Sequence, residues 1–491
     1  MQFSTLADLR AARDPDGLAV ADSDQLLTNA AMLSRVQAAA GQLRTLGIGR
    51  NDVVALKLSN RVEFVVLLLA AWRIGATVTP VNPALTAAEV ARQLTDSKTR
   101  LLVVEDDAAQ SDTVTTLEIG DLAREVHDAG EAPHSDTSTI ALLIYTSGTT
   151  GVPKGVMLDH ANLDAMTAMG AAALELDATD RSLLILPLFH VNGIVVSVLT
   201  PLLVGASVVV ADRFNPRTFF DIVEAKKPTF FSGVPTIYSM LAALPAEVRP
   251  DTSSIRFAVC GAAPAPADLL TRFEDRFGFP LVEAYGLSEG TCGSTINPVS
   301  GVRKPGTVGC PLPGQEIRIV DSKGNAVPQG ETGEVVVRGP NVMRGYLGRP
   351  DDTAAVLVDG WLHTGDVGQL DSDGYLRIVG RCKEMIIRGG ENIYPKEIED
   401  VIASDTAVLE AAVIGIPDER WGEVVIAFVQ PRPGSSIDSE QLRERCTVEL
   451  SRYKRPRSIH VLAALPKNAV GKIDKNALRA RALLQGREVR E

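Results

Sequence analysis

A loop rich in glycine and hydroxyl side chains follows an apolar stretch of the chain: Tyr145-Thr-Ser-Gly-Thr-Thr-Gly-Val-Pro-Lys-Gly155. Its glycines let the backbone approach a ligand closely, while its hydroxyls and lysine supply donors and a mobile cation, which together suit a polyphosphate. The G-x-x-x-x-G-K-[ST] loop is a different pattern, because no serine or threonine follows a Gly-Lys pair here. The residues expected to contact phosphate are Ser147, Gly148, Thr149, Thr150, Gly151 and Lys154.

Six further motifs follow this loop in order. They are Leu186-Pro-Leu-Phe-His190, Gly261-Ala-Ala-Pro264, Tyr285-Gly-Leu-Ser-Glu289, Gly360-Trp-Leu-His-Thr-Gly-Asp366, Gly380-Arg-Cys-Lys-Glu-Met-Ile-Ile-Arg-Gly-Gly-Glu-Asn-Ile-Tyr-Pro395 and Pro466-Lys-Asn-Ala-Val-Gly-Lys472. In order and spacing the chain resembles the adenylate-forming superfamily, which includes acyl-CoA synthetases, peptide-synthetase adenylation domains and beetle luciferases. The matches extend over most of the chain, and they are most similar to the acyl-CoA synthetases.

The reaction implied by this resemblance replaces a poor leaving group on the acid with a good one. A carboxylate is a poor acyl donor because hydroxide leaves badly, whereas attack on the α-phosphate of ATP replaces it with AMP. A thiolate then displaces AMP to give the thioester. The first transition state gathers negative charge between carboxylate and phosphate, so cations and donors must converge there. The resemblance therefore implies that the enzyme uses a small-molecule carboxylic acid, ATP, Mg²⁺ and CoA.

Acidic and aromatic residues take the nucleotide roles. Glu289 among phosphates would be repulsive without a cation, and the resemblance makes Glu289 and Thr146 the magnesium ligands. Tyr285 can stack on adenine, and Gly286 leaves room for the ring. Ser288 stands where threonine is commonest in the family and keeps the hydroxyl. The rest of the predicted nucleotide set is Gly261, Ala262, Ala263, Asp366 and Arg381.

Asp366 follows Thr364 and Gly365, and we expect it in a tight turn, where its carboxylate would accept the ribose hydroxyls beside Arg381. Lys472 near the C-terminus would bridge the substrate carboxylate and the α-phosphate, a role suited to a compact ammonium on a flexible stem. For Lys472 a solvated surface lysine, and for Asp366 an ordinary turn residue, are the alternatives.

The resemblance also implies movement between the two half-reactions. Lys383 matches the family's hinge position. Gly389 and Gly390 match the pair of glycines that line a narrow slot for the pantetheine arm of CoA. A plain glycine turn is the alternative for this pair. We expect Lys472 to act only before pyrophosphate is released.

The predicted acid pocket contains no cation. His190 acts as a gate beside it, or else as a structural histidine. The predicted lining is His190, Val191, Asn192, Ala262, Ala284, Gly286, Thr291 and Cys292. Malonate-activating relatives carry an arginine where Ala284 stands, so short dicarboxylates should be poor substrates. We expect a hydrophobic monocarboxylate, with a medium to long fatty acid placed first and a cyclic or aryl acid second. Asn192 and Thr291 would bond a polar substituent, or simply backbone.

Three other functions use the same motifs. The acyl group could pass to a carrier protein, although the stretch from Gly389 to Pro395 is closer to CoA synthetases. A luciferase-like oxygenase shares the fold. A non-catalytic ligand-binding homologue is disfavoured because the charged residues of the predicted site are all present, namely Lys154, Glu289, Asp366, Arg381 and Lys472.

Elements of alternating helix and strand must position these residues. Short apolar strands lie between helices up to about residue 300, which indicates α/β layers with largely parallel sheets. The segment 306–380 is rich in Gly and Pro and has short strands, which predicts a smaller β-rich subdomain. The resemblance implies a large N-terminal domain, 1–381, of two α/β lobes plus a β-barrel formed by this subdomain, a hinge at 382–384, and a small mobile domain at 384–491. The sequence pattern itself predicts that this last domain is α+β.

Net charge, cysteine spacing and the lengths of apolar stretches argue against several classes of function. The chain has 491 residues and a net charge of -12, which argues against a nucleic-acid surface. Its five cysteines form no C-x-x-C pair, so neither a zinc site nor a disulfide framework is predicted. The first residues lack a basic stretch followed by an apolar run, and no apolar stretch is long enough to span a bilayer. We expect a cytoplasmic protein and leave a homodimer open.

Overall fold

The structure, a computed structural model, describes residues 3–105, 114–126, 132–146, 153–263, 265–467 and 473–488. It separates into two compact units. Unit one contains Met1–Arg318, Val336–His363 and Asp373–Leu376, and unit two contains Ile319–Val335, Thr364–Ser372 and Arg377–Glu491. None of the described helices is both long and apolar enough to cross a membrane.

The helices are α1 (Leu6–Arg13), α2 (Asn29–Thr45), α3 (Val62–Arg73), α4 (Ala87–Asp96), α5 (His160–Ala173), α6 (Val191–Ile194), α7 (Thr200–Val204), α8 (Phe219–Lys226), α9 (Pro235–Ala242), α10 (Ala267–Phe277), α11 (Pro350–Val356), α12 (Pro395–Ala403), α13 (Ser439–Glu449) and α14 (Lys475–Glu488). The strands are β1 (Leu18–Ala21), β2 (Leu26–Thr28), β3 (Val53–Lys57), β4 (Thr77–Pro80), β5 (Thr99–Val104), β6 (Thr115–Glu118), β7 (Ile140–Thr146), β8 (Lys154–Asp159), β9 (Arg181–Leu184), β10 (Ser207–Val210), β11 (Phe230–Gly233), β12 (Phe257–Cys260), β13 (Leu281–Tyr285), β14 (Thr295–Ile296), β15 (Cys310–Pro311), β16 (Glu316–Val320), β17 (Gly333–Arg338), β18 (Gly345–Tyr346), β19 (Leu357–Val358), β20 (Trp361–Leu370), β21 (Leu376–Arg381), β22 (Ile386–Arg388), β23 (Glu391–Ile393), β24 (Val408–Asp418), β25 (Gly422–Pro431) and β26 (Ser458–Val461).

A nine-stranded sheet in unit one has the order β15-β14-β13-β12-β11-β9-β10-β1-β2. The run from β13 to β1 is parallel, with Phe231 opposite Ala258 and Val259 opposite Val282. Every residue of β10, β11 and β12 is buried. Parallel strands covered on both faces need this near-continuous apolar character, so the prediction of largely parallel α/β layers is confirmed here.

A second sheet in unit one has the order β18-β8-β7-β4-β3-β5-β6. Strands β7, β4, β3, β5 and β6 are parallel, but β7 and β8 form an antiparallel pair in which Thr146 lies opposite Lys154. The sequence pattern did not predict this return strand, because the pairing between strands depends on tertiary contacts rather than on local pattern. Every residue of α3 is buried, which explains its unbroken apolar run.

Short strands in the Gly- and Pro-rich region form a further sheet with the order β16-β17-β20-β19, and β21 pairs with β20. This agrees with the expected β-rich character of the region. Asp366 was expected in a tight turn, and that was wrong. It lies inside the ten-residue strand β20, where Gly365 takes a positive φ of 69°. The glycine permits a local bend without ending the strand.

Unit two contains a sheet with the order β23-β22-β25-β24, to which β26 adds in parallel next to β25. Its apolar core includes residues of α12, such as Ile398 and Ile402, and residues of α13, such as Leu442. This α+β arrangement is the one expected for the C-terminal part of the chain. The predicted fold class is confirmed.

A partly buried ion triad connects the first residue of α14 to two other parts of unit two. Lys475 Nζ lies 2.8 Å from carboxylate oxygens of both Glu384 and Glu399, and the lysine side chain is 18% exposed. Burial lowers the pKa of Lys475, but Glu399 and Glu384 outweigh it, so the pKa is raised overall. The contribution of Lys475 is therefore fully present at neutral pH and is lost as pH rises through that raised pKa.

Replacing Lys475 with methionine should destabilise unit two by about 2 kcal/mol, because it removes the cation shared by two partly buried carboxylates. Glu399 would keep its hydrogen bond from the Val413 amide. Hydrogen exchange of the β24 and β25 amides measures this opening free energy. Lys467→Met is the matched control, since Lys467 pairs with Glu410 at 2.7 Å in a more exposed setting and should cost less than about 1 kcal/mol. Equal effects of the two substitutions would contradict the role given to the triad.

Candidate active site

The carboxyl ends of neighbouring parallel strands bring several predicted nucleotide residues to one edge of the nine-stranded sheet. Strand β12 ends at Cys260 and leads into Gly261–Ala263, and β13 ends at Tyr285. This edge is where open α/β sheets place ligands. The Gly261 amide donates to the Gly233 carbonyl at 3.1 Å, and Ala262 has a φ of +66°. A non-glycine residue held in this region is an unfavourable conformation that concentrates at functional sites.

Gly286 is required by a close approach of two backbone segments. A Cβ atom placed there would lie 1.7 Å from the Cys292 carbonyl oxygen. Two consecutive non-glycine residues of the returning segment have positive φ, Thr291 at +55° and Cys292 at +110°. The turn that carries Glu289 is therefore held in a strained shape by its surroundings.

Thr291 does not offer its hydroxyl to the acid pocket as one reading of the sequence expected. Its side chain is fully buried, and its Oγ1 donates to the Asn341 carbonyl at 2.5 Å. The backbone alternative is the correct one for this residue. Burial raises the pKa of the Cys292 thiol to about 12, so this neighbour stays neutral and can serve only as a small apolar wall.

The predicted magnesium ligand Glu289 is half-buried and is held from two sides. Its backbone carbonyl accepts from the Met343 amide at 2.8 Å, and its Oε1 accepts from the Tyr346 hydroxyl at 2.8 Å. Burial, followed by the nearby Glu289 carboxylate, raises the pKa of Tyr346 well above its ordinary value. The phenol therefore stays protonated and remains a donor.

Lys154 lies beside the same tyrosine. Its Nζ is 5.1 Å from the centroid of the Tyr346 ring and 2.8 Å from an oxygen of Asp352. Thr146 is its partner across the β7–β8 pair. Unit one thus brings Thr146, Lys154 and Glu289 into one region around Tyr346.

This donor set fits magnesium held together with a nucleotide. The described residues contain no group of three or more His, Cys, Asp or Glu side chains that could hold a metal. Magnesium in phosphate-transfer sites needs only one or two protein oxygens, since phosphates and water complete the octahedron. A Glu289 carboxylate with one oxygen bonded to a phenol meets that need.

Unit two holds the other two predicted nucleotide residues together. Asp366 is buried, and its Oδ1 lies 2.9 Å from Nε of Arg381, the last residue of β21. The Thr364 hydroxyl accepts from the Asp366 amide at 3.1 Å and donates to the Val335 carbonyl at 2.7 Å. A carboxylate fixed by its own backbone and by an exposed guanidinium suits the recognition of paired hydroxyls.

The predicted hinge and glycine slot lie close in sequence within unit two. Lys383 lies in a 3₁₀ turn, Cys382–Glu384, between β21 and β22. Gly389 and Gly390, with φ of +62° and +89°, form the two-residue turn between β22 and β23. Positive φ at both central residues is the type I′ hairpin requirement. A Cβ on Gly389 would also meet the Trp421 ring at 3.0 Å.

The predicted acid pocket begins at an exposed His190 whose ring centroid lies 4.5 Å from that of Phe189. The chain then forms α6, a π-helical segment Val195–Leu199, and α7. π-Helical turns occur frequently at functional sites. Val191 is part of the largest apolar cluster of unit one, and Cys292 packs against that cluster. Ala284 packs against a separate apolar cluster, one that contains Phe230 and Phe257.

Six predicted site residues lie outside the described residues, namely Ser147, Gly148, Thr149, Thr150, Gly151 and Lys472. Sequence reasoning missed Tyr346 and Asp352. Their signal was weak, a tyrosine in Arg344-Gly-Tyr346 and an acidic pair at the start of a helix, and both patterns are common in surface turns.

The sequence also matches known protein families and known proteins. The sequence model for AMP-binding enzymes matches residues 7–347, and that for the AMP-binding enzyme C-terminal domain matches residues 397–472. The chain belongs to the AMP-binding enzyme family. It is 40% identical over 482 residues to a feruloyl-CoA synthase of Amycolatopsis, covering 96% of this chain and 97% of the relative. It is 38% identical to an oxalate–CoA ligase of Arabidopsis thaliana, with 96% and 97% covered.

Among solved structures of the family, ATP-bound MatB from Rhodopseudomonas palustris superposes with a TM-score of 0.90 at 32% identity, covering 98% of this chain and 99% of that one. As an AMP-binding enzyme with these relatives, the protein is an AMP-forming acid–CoA ligase. The predicted use of ATP, Mg²⁺ and CoA is confirmed at the level of the family. The roles of single residues and an assembly of two copies remain predictions.

Gly286→Ala should abolish nucleotide binding and destabilise unit one by about 2 kcal/mol, because the new methyl group overlaps a backbone carbonyl that cannot move freely. ATP binding by calorimetry and urea unfolding measure the two effects. Gly170→Ala is the control, since its Cβ would meet only Thr200 at 3.5 Å. ATP binding should stay near wild type, and the free energy of unfolding should not fall, because alanine is a better helix former than glycine. Normal ATP binding by Gly286→Ala would contradict the close-approach argument.

Proposed function

We propose that this AMP-binding enzyme activates a hydrophobic monocarboxylic acid, and more narrowly an aromatic acid that carries a hydrogen-bond donor such as a ring hydroxyl. The observation that carries the proposal is the side-chain oxygen of Asn192. Within the described residues, Asn192 Oδ1 is buried and has no hydrogen-bond partner. An unsatisfied buried acceptor costs about 1–3 kcal/mol, which a hydroxyl on the acid would recover.

The surroundings of Asn192 favour a flat apolar body for that acid. Val191 next to it is buried in the apolar cluster against which Cys292 packs. Ala284 and Gly286 add little side-chain volume, and none of the predicted lining residues is cationic. A second carboxylate would therefore be buried without a partner, at a cost of several kcal/mol. The feruloyl-CoA relative supports an aromatic acid, whereas the oxalate–CoA relative shows that the family also accepts dicarboxylates.

The proposed reaction has two half-reactions. The acid carboxylate first attacks the ATP α-phosphate, and pyrophosphate leaves. Lys154 and Lys472 supply positive charge to the phosphates and the carboxylate. Glu289 and Thr146 would hold magnesium, which neutralises phosphate charge and orients the pyrophosphate for departure.

Other residues bind and orient the nucleotide and CoA in this proposal. Asp366 accepts hydrogen bonds from the ribose hydroxyls while Arg381 fixes its carboxylate. The Tyr285 ring stacks on adenine above Gly286, and Ser288 donates to the α-phosphate. In the second half-reaction the CoA thiolate attacks the acyl-adenylate carbonyl and AMP leaves.

The proposal keeps the domain boundaries that were predicted from the sequence, 1–381 and 384–491. We assign the hinge between the two domains to Lys383, because Cys382–Glu384 is a short 3₁₀ turn between two strands. The CoA arm is assigned to the hairpin turn at Gly389 and Gly390, where the backbone carries no side chain.

A medium to long fatty acid is the second candidate. The apolar cluster around Val191 favours it, because an alkyl chain gains about 0.8 kcal/mol for each buried methylene. An alkyl chain offers no donor to Asn192, so the two candidates differ at that residue.

Wild-type enzyme should use 4-hydroxycinnamate at least tenfold better than cinnamate in kcat/KM, because only the hydroxyl satisfies Asn192 Oδ1. Asn192→Leu should reverse or erase that preference while keeping activity with cinnamate. Octanoate and malonate complete the panel in a CoA-release assay. Octanoate as the best substrate would favour the second candidate, and malonate as the best substrate would contradict the apolar pocket.

Lys472→Ala should nearly abolish acyl-adenylate formation, measured as ATP–pyrophosphate exchange, yet spare thioester formation from supplied acyl-adenylate. The physical reason is that its charge is needed only where carboxylate and α-phosphate meet. Lys467→Ala, which removes a lysine paired with Glu410, should leave both half-reactions near wild type. Equal losses in both half-reactions for Lys472→Ala would contradict its assignment.

A further inference from the structure

We propose that Tyr346 is a positioning residue that holds the Glu289 carboxylate and the Lys154 ammonium group apart and in fixed places before the nucleotide arrives. This inference rests on the roles proposed above for Glu289 and Lys154. Tyr346 belongs to none of the motifs from which those roles were predicted.

Tyr346 contacts both charged groups with different parts of one side chain. Its hydroxyl donates to Glu289 Oε1 at 2.8 Å, while Lys154 Nζ lies 5.1 Å from its ring centroid. A phenol hydrogen-bonded to a carboxylate and a ring face beside an ammonium are both favourable contacts. The tyrosine can therefore stabilise an anion and a cation at once.

The backbone around Tyr346 is tightly fixed. Strand β18 pairs antiparallel to β8, with Tyr346 opposite Val156. The Tyr346 amide donates to the Thr353 hydroxyl at 2.9 Å, and the next amide, from Leu347, donates to the Gly155 carbonyl at 2.8 Å. A Cβ at Gly345 would lie 2.7 Å from Thr353, and Gly345 has a φ of +134°. The phenol thus projects from a rigid point, with the residue only 8% exposed.

A side chain between the two charged groups prevents them from pairing with each other. A lysine and a glutamate free to meet would form a direct ion pair, and each would then be unavailable to magnesium or phosphate. In the structure Lys154 pairs instead with Asp352 at 2.8 Å, a residue of the helix that follows Tyr346. Glu289 keeps its hydrogen bond to the phenol, which occupies one carboxylate oxygen and orients the other.

The chain offers a closely matched control tyrosine elsewhere in unit one. The Tyr375 hydroxyl donates to the Val302 carbonyl at 2.6 Å, and Lys304 Nζ lies 4.5 Å from the Tyr375 ring centroid. Lys304 is itself paired with Asp373 at 2.5 Å. Removing either tyrosine hydroxyl therefore deletes a partly buried hydrogen bond next to a lysine–aspartate pair, but of the two only Tyr346 bonds a predicted metal ligand.

The test compares Tyr346→Phe with Tyr375→Phe by two readouts. The first is the Mg²⁺ concentration that gives half-maximal ATP–pyrophosphate exchange. The second is the factor by which Mg²⁺ strengthens ATP binding, measured by calorimetry without acid. Tyr346→Phe should raise the half-maximal Mg²⁺ concentration about tenfold and reduce the calorimetric factor about tenfold, the size expected for a hydrogen bond to a charged group. Saturating Mg²⁺ should restore most of kcat.

Tyr375→Phe should stay within about twofold of wild type in both readouts, while urea unfolding should show similar stability losses for the two variants. Identical Mg²⁺ dependence in the two variants would overturn the proposal. A loss of kcat by Tyr346→Phe that saturating Mg²⁺ does not restore would also overturn it. A wild-type enzyme that exchanges pyrophosphate with no acid would contradict the proposed function instead, and calorimetry would still decide the role of Tyr346.

Discussion

Two anions must meet before this reaction can begin, since a carboxylate has to approach the α-phosphate of a polyphosphate. Their repulsion in a low-dielectric cleft is large, and much of the described site can be understood as an answer to it. In the proposed mechanism, Lys154 and the magnesium held by Glu289 would supply positive charge there. In the role proposed for Tyr346, its hydroxyl and ring keep Glu289 and Lys154 from neutralising each other.

This requirement explains why strain and small residues collect around Glu289. The segment after it holds Thr291 and Cys292 at positive φ, and its carbonyl presses against Gly286. Such a shape persists only when surrounding packing determines it, and the Thr291 hydroxyl bond to Asn341 is part of that packing. The packing restricts the conformational freedom of this turn and thereby fixes the direction of the Glu289 carboxylate.

Much of the fold could be predicted from the sequence because short apolar strands between helices leave few alternatives. The fully buried strands β10 and β12 and the helix α3 are examples. The return strand β8 and the place of Asp366 inside β20 could not be predicted, since pairing between strands depends on tertiary contacts rather than on local pattern.

The site was predicted unevenly for the same reason. Motif residues such as Glu289 and Asp366 were identified because their types and order resemble a family. Tyr346, Asp352 and the internal bond of Thr291 depend on residues distant in sequence, so no local signal marks them. The unpartnered oxygen of Asn192 became visible only once its neighbours were placed.

The central claim is that the acid carboxylate forms a bond to the α-phosphate of ATP. Acid labelled with ¹⁸O in its carboxylate tests this most directly, with mass spectrometry of all phosphate products after CoA is consumed. The account predicts that AMP carries one ¹⁸O atom and that pyrophosphate carries none, because the carboxylate oxygen leaves with AMP when the thiolate attacks. Label in inorganic phosphate together with formation of ADP would contradict it, since that result requires attack on the terminal phosphate.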